Sequence, residues 1–189
     1  LYQGEELGLT EADIGLDDLQ DPYGKEMWPR FKGRDGCRTP LPWSTHGPHA
    51  EFSEARPWLP FAEEHRARAA GVQAADPHSV FGRCRRFLAF RRTQRALVDG
   101  AMALLPAHDD VVAWTRGQGD DAILCVFNLS PRPARYALDG LEAAPLDGHG
   151  FAGGLEPSPD RATLDCVLPP NGAFFGRLRT RPHPTRSLS

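Results

Sequence analysis

The sequence predicts a chain in two parts, α/β in character at first and then all-β. Three observations carry this expectation. Residues 1–75 are rich in Pro and Gly and read as a strand end followed by a long loop region. Residues 76–97 place apolar side chains at helical spacing. From residue 101 the rhythm changes to short apolar runs separated by turn signals, the pattern of an antiparallel sandwich.

The opening segment LYQGEELGL reads as the end of a buried strand running into a loop. A chain that starts at such a junction raises the expectation that the rest of an active site lies upstream. Breakers then recur at Asp21-Pro22-Tyr23-Gly24, Trp28-Pro29, Thr39-Pro40, Leu41-Pro42-Trp43 and Arg56-Pro57-Trp58-Leu59-Pro60. A long irregular stretch is either functional or disordered. Trp28, Trp43 and Trp58 argue against disorder, because disordered segments are poor in aromatic residues.

Asp76 and Pro77 suit the N-cap and first position of a helix over 76–97. Val80, Cys84, Phe87, Leu88 and Arg91 follow at helical spacing, and Gly100 suits a stop just beyond the end. The basic cluster Arg83, Arg85, Arg86, Arg91, Arg92 and Arg95 reads as a solvated or salt-bridged helix face. Strands are expected at Ala101–Leu105, Val111–Arg116, Ala122–Asn128, Ala134–Leu138, Ala162–Leu168 and Ala173–Leu178. Turn signals separate them at Gly117–Asp121, at Pro131-Arg132-Pro133 and across the Gly/Pro-rich stretch 145–159. The polar tail from Arg179 is expected to fray.

Composition narrows the function. A net charge of −3, from 22 basic and 25 acidic residues, gives no electrostatic case for nucleic acid or an anionic membrane. No apolar run approaches the ~18 residues that span a bilayer. The four cysteines, Cys37, Cys84, Cys125 and Cys166, lie far apart, and the seven histidines are scattered. No metal site and no disulfide framework is expected, and reduced thiols in a cytoplasmic protein are the default reading.

Glu5 and Glu6 are the first residues that could carry chemistry, since paired carboxylates split glycosidic bonds. Neighbours on a strand point to opposite faces, so they cannot both flank one bond. Arg34, Asp35 and Arg38 are closely spaced between and beyond Gly33 and Gly36, which permit tight backbone. Guanidinium forks suit a carboxylate or vicinal sugar hydroxyls. A substrate grip and a plain Arg–Asp clasp that holds the loop are both open readings. The pairs Trp28-Pro29 and Pro57-Trp58 fit either a sugar-stacking wall or a small core under the loop. No Ser-His-Asp arrangement, phosphate-cradling loop or nucleotide fingerprint is present.

Four motifs in order, YQGEELGL, DLQDPYG, FKGRDGCRTP and ARPWLP, resemble the C-terminal part of bacterial α-glucosidases and oligo-1,6-glucosidases. These belong to glycoside hydrolase family 13 of the α-amylase superfamily. The resemblance implies the last βα unit and loop of a (β/α)₈ TIM barrel, over residues 1–97, with strand eight at the start and a closing helix. It implies an antiparallel β-sandwich, domain C, over 98–180, and a tail over 181–189. The implied activity is retaining hydrolysis of terminal α-linked glucose on malto- or isomalto-oligosaccharides, without a cofactor. The family's nucleophile, acid and supporting carboxylate lie before the eighth strand and map onto no residue here. What maps is substrate binding: Arg38 to the arginine that holds the non-reducing glucose, Arg34 and Asp35 to neighbouring loop positions. Leu41-Pro42-Trp43 departs from the family pattern, and its proline bears on the loop after Arg38. The isolated chain is expected to be inactive and poorly stable. Alternatives are a related sucrose, maltose or trehalose transferase or isomerase, and a non-catalytic carbohydrate-binding sandwich.

Overall fold

Where the sequence reads as a strand at its start, the backbone turns instead. In the computed structural model, which describes residues 1–108, 110–160 and 162–179, Glu5–Leu7 form one 3₁₀ turn. Gly4 (φ 103°) and Gly8 (φ 64°) flank it in the left-handed region, and Gly8 N–H donates to the Glu5 carbonyl. A parallel strand needs a hydrogen-bonded neighbour, and among the described residues of this region there is no strand to pair with. Local turn bonds satisfy the backbone instead.

The chain divides into two units, Leu1–Arg85 and Arg86–Ser189. The first is built from turns. Two short helices, α1 (Pro22–Glu26) and α2 (Ala70–Ala75), are set among 3₁₀ turns at Leu16–Asp18, Asp35–Cys37, Pro48–Glu51 and Glu63–Arg68. Asp21 caps α1, its carboxylate accepting from Tyr23 N–H, with Pro22 at the first position. Ala12, Ile14, Leu19 and Ala62 form a small core with Trp28 packed on it. Polar side chains fasten the rest. Gln73 donates from Nε2 to the carbonyls of Leu7 (2.8 Å) and Arg68 (2.9 Å) and accepts from Phe81 N–H (3.1 Å). Ala70 N–H donates to the Pro42 carbonyl at 2.9 Å, so the unusual proline is an anchor of this unit.

The expected helix over 76–97 is interrupted. Asp76 ends α2, and its side chain accepts from His78 N–H. Helix α3 runs Val80–Thr93, and Ser79 caps it by accepting from Gly82 N–H at 3.0 Å. Ser79 stands three residues before Gly82, the spacing at which a capping hydroxyl reaches the third helical amide. Gln94 is extended (φ −108°, ψ 96°), and α4 (Arg95–Asp99) follows. The N-terminus had two residues able to cap it, and geometry chose the second.

Among its described residues the second unit contains eight strands: β1 Met102–Leu105, β2 Val111–Arg116, β3 Ile123–Asn128, β4 Ala134–Ala137, β5 Ala143–Pro145, β6 Gly154–Pro157, β7 Leu164–Leu168 and β8 Ala173–Leu178. One sheet has the order β1-β2-β3-β8-β5, the other β4-β7-β6, and every pairing is antiparallel. β5 and β6 lie in or beside the stretch read as turns. They are short edge strands ending in Pro145 and Pro157, so they show no apolar alternation.

β3 explains the layering. Its alternate residues Leu124 and Val126 join Tyr136, Leu138, Cys166, Leu168 and Phe174 in one core shared by the two sheets. Ile123 and Cys125 join Phe90, Ala96, Leu97 and Phe175 in another, between sheet and helix. A strand buried on both faces reads as a continuous apolar run, as ILCVF does. Each large side chain so buried contributes about 1.5–3 kcal/mol. The tail over 181–189 and the last residue of 98–180 lie outside the described residues. Among those described, no helix is long and apolar enough to cross a membrane.

Candidate functional site

The first unit carries an open cleft of about 970 Å³. Two buried carboxylates of the loop region shape its wall. Asp35 is fully buried in the 3₁₀ turn Asp35–Cys37. Its Oδ2 accepts from the backbone N–H of Gln20 (2.6 Å) and Asp21 (2.7 Å). Its Oδ1 lies 3.7 Å from Nη1 of Arg38 and accepts no hydrogen bond. Asp21, 4% exposed, accepts from both the backbone N–H and the Nε of Arg34, each at 3.1 Å. The Arg34 hydrogen bond holds the Asp21 carboxyl below the usual carboxylate range, burial opposes this, and the Tyr23 and Arg34 amides add to it.

This lacing requires close backbone approach. Gly33 has φ 75°, and a Cβ there would lie 3.0 Å from that of Asp21. A Cβ on Gly36 would lie 2.4 Å from the Ala12 carbonyl oxygen, while Ala12 N–H donates to the Gly36 carbonyl. Both glycines are therefore needed at the contact between residues 12–21 and 33–38.

The three expected site residues separate on this geometry. Arg38 lines the cleft with its side chain a third exposed. Arg34 also lines it, with a side chain 69% exposed and its Nε committed to Asp21. Asp35 does not line the cleft. A carboxylate with no exposed surface and two backbone donors is a support beneath Arg38 rather than a surface for a ligand. The grip and the clasp therefore divide between residues: Arg34 with Asp21 is a clasp, while Arg38 over Asp35 presents a guanidinium to the cleft.

Glu5 and Glu6 do not form a pair about one bond. Glu5 accepts from Tyr2 N–H (3.0 Å) and Glu6 from Gly4 N–H (2.9 Å), each bracing the first turn. Trp28 serves the small core, whereas Trp58 is 67% exposed on the cleft. His65 lines the cleft too, and nothing in its sequence context sets it apart from the other histidines. Asp21 was legible only as part of a breaker, Asp21-Pro22-Tyr23-Gly24.

In the second unit the aromatic residues serve packing. Trp114 and Phe127 stack at 4.7 Å against the helix-facing core. A groove of about 530 Å³ there is spanned by Arg132–Asp110 (3.5 Å) and Arg135–Asp165 (3.6 Å). All four cysteines are free. Burial pushes the Cys125 and Cys166 thiols up to about 12, while Cys37 is exposed on the cleft. Among the described residues, no group of three His, Cys, Asp or Glu side chains could hold a metal ion.

The family profile for Alpha-amylase, described as "Alpha amylase, catalytic domain", matches residues 1–100, the part that contains the cleft. The chain belongs to the α-amylase family. Within that family it is 44% identical over 178 residues to the probable α-glucosidase of Rhizobium meliloti (strain 1021), covering 94% of this chain and 31% of that protein. It is 29% identical over 189 residues to the probable oligo-1,6-glucosidase 3 of Bacillus subtilis (strain 168), covering 90% of this chain and 33% of that protein. The chain thus spans about a third of the length of these α-amylase relatives. Among solved structures, the α-glucosyl transfer enzyme XgtA matches with a TM-score of 0.85 and 42% identity, over 95% of this chain and 32% of that one. An isomaltulose synthase mutant from Erwinia rhapontici NX5, in complex with its natural substrate sucrose, matches with a TM-score of 0.77 and 25% identity, over 95% and 35%.

Proposed function

We propose that this chain supplies one wall of the glucose pocket of an α-glucosidase that releases terminal α-linked glucose by a retaining mechanism. The observation that carries this reading is Arg38, set on the cleft over the buried carboxylate of Asp35, in a chain of the α-amylase family. Asp35 braces the guanidinium electrostatically, and a braced fork meets vicinal hydroxyls at lower conformational cost. Arg34 is the secondary contact, reaching the ligand only with the donors that Asp21 leaves to it.

In this reading residues 1–97 belong to the end of the (β/α)₈ barrel, with 9–75 as the long loop and 76–97 as the closing helical segment. Residues 98–180 are domain C. The nucleophile and the acid come from other parts of the barrel, and this chain contributes binding. The likeness to XgtA favours glucosyl transfer as a second reading, in which the same pocket passes glucose to a sugar rather than to water.

Cys37 gives a direct test in a Cys84→Ser background, because it is exposed beside Arg38, Cys84 is half-buried, and Cys125 and Cys166 are buried with their thiols pushed up to about 12. Maltose or isomaltose should slow maleimide labelling of Cys37, and Arg38→Ala should abolish that protection. Labelling indifferent to both sugars would overturn the assignment. The chain alone should leave p-nitrophenyl α-glucoside uncleaved, since no residue of it supplies the covalent route.

A further inference from the structure

The cleft carries one nucleophile that sugar recognition leaves unused. Cys37 is exposed there, at the end of the 3₁₀ turn Asp35–Cys37. The turn is fixed from beneath, where Asp35 accepts from the Gln20 and Asp21 amides. Cys37 N–H donates to the Arg34 carbonyl (3.2 Å) and Arg38 N–H to the Asp35 carbonyl (2.9 Å). The thiol is therefore held on a rigid backbone, and the guanidiniums that precede and follow it, Arg34 and Arg38, line the same cleft. A thiol alone names no ligand.

His65 supplies a second, independent observation. It is 1% exposed and lines the cleft. Its Nε2 lies 2.9 Å from the Thr10 carbonyl oxygen. A carbonyl can only accept, so Nε2 carries the proton and donates. Nδ1 is then a lone-pair acceptor, and it has no hydrogen-bond partner. A buried acceptor left unpaired is costly unless a ligand supplies a donor.

The charged lining narrows the ligand further. Glu5 and Glu11 are exposed on the cleft together with Arg34 and Arg38. The two signs are mixed, which matches a zwitterion better than a plain anion or cation. A peptide of the glutathione type carries carboxylates, an ammonium, amide N–H groups and a sulfur. Its carboxylates suit the guanidinium forks, its ammonium suits Glu5 or Glu11, and an amide N–H suits His65 Nδ1. A cleft of about 970 Å³ has room for such a peptide.

We propose that Cys37 is a site of reversible S-thiolation by a disulfide of the glutathione type. The Cys37 thiolate attacks one sulfur of the disulfide. The S–S bond of the reagent breaks, a bond between Cys37 Sγ and the peptide sulfur forms, and the other peptide leaves as a thiolate. That thiolate takes up the proton that Cys37 released. Cys37 is oxidised and the leaving sulfur is reduced, so the electrons balance, and excess thiol reverses the exchange. The adduct lies beside Arg38 and excludes a glucoside from the cleft. This last consequence rests on the α-glucoside reading, whereas the thiolation itself does not.

Exchange kinetics on the whole chain, read cysteine by cysteine with peptide mass spectrometry, test the site. The probes are oxidised glutathione and the uncharged bis(2-hydroxyethyl) disulfide, and the urea-unfolded chain supplies the intrinsic ratio of their rates at Cys37. The native chain should favour oxidised glutathione about ten-fold beyond that ratio. Arg38→Ala should reduce the preference, and so should raising the salt from about 20 to about 500 mM, which needs no variant. The His65 Nδ1 resonance should move upfield in the adduct as it accepts a hydrogen bond. A native ratio equal to the unfolded one, or modification of Cys84 in place of Cys37, would overturn the proposal. Ligand-observed NMR then tests the consequence: maltose binding should vanish on thiolation and return with dithiothreitol. An adduct that binds maltose as the reduced chain does would overturn the exclusion. A reduced chain that binds no maltose would overturn the α-glucoside reading and leave the thiolation site standing.

Discussion

Leu1–Arg85 is ordered with five 3₁₀ turns and two short helices before α3, whereas Arg86–Ser189 pairs eight strands into two sheets. In the second unit two apolar cores take up alternate residues of β3. In the first unit the apolar core is small, and buried carboxylates and amides take over the task of satisfying the backbone. The difference teaches why the cleft lies where it does. A sheet uses its backbone groups on itself and presents packed side chains, whereas a turn-rich region fastened by Asp35, Asp21 and Gln73 can hold exposed polar and aromatic groups on a fixed frame.

The largest expected effect tests the apolar side of this comparison. Phe174→Ala should destabilise the second unit by about 3–5 kcal/mol, as large aromatic truncations in cores do. Hydrogen exchange should show the loss in β3 and β8, which pair across Val126 and Phe174. A cost under about 1 kcal/mol would mean that the shared core is not what holds the sheets.

The polar side is tested by Asp35→Asn. It keeps the shape but replaces a charge that accepts from two amides and faces Arg38, and should cost about 2–4 kcal/mol. Loss of exchange protection at the Gln20 and Asp21 amides is the specific signature. Protection retained there would show that turns alone order this region.

A smaller effect concerns His149, placed among the aromatic rings beside the helix-facing core. His149 lies 5.0 Å from Phe175 and 5.5 Å from Phe90 by ring centroids, and its Nδ1 accepts from Phe151 N–H. Burial pushes its pKa down, the Leu146 and Asp147 interactions opposing it. Between the folded value and the unfolded value of about 6.5, the unfolded chain binds more protons. The stabilisation is therefore present above about pH 6.5 and is lost as pH falls through the folded value. Thermal melts from pH 7.5 to 5 should show this decline, and His149→Phe should flatten it. An equal slope in the variant would assign the pH dependence elsewhere.

Most of the strand pattern was legible because strands advertise themselves by alternation and by the turns between them. Val111–Arg116 and Ala173–Leu178 form over the residues expected. β5 and β6 were not, since edge strands are specified by the backbone of their neighbour more than by their own side chains. The family motifs singled out Arg34, Asp35 and Arg38 as a group. They put Arg38 first but could not separate Arg34 from Asp35, because burial decides which polar residue faces the cleft, and burial depends on residues 12–21.

The sequence by itself determined the order of textures, the family and the cluster around Arg38. Those follow from local propensity and from motifs that lie within one stretch of chain. Tertiary structure alone decided that Asp35 is a support and that Trp58 and His65 line the cleft with Arg38. Each of these depends on which distant group supplies a donor, an acceptor or a covering surface, and no short window of sequence contains that partner.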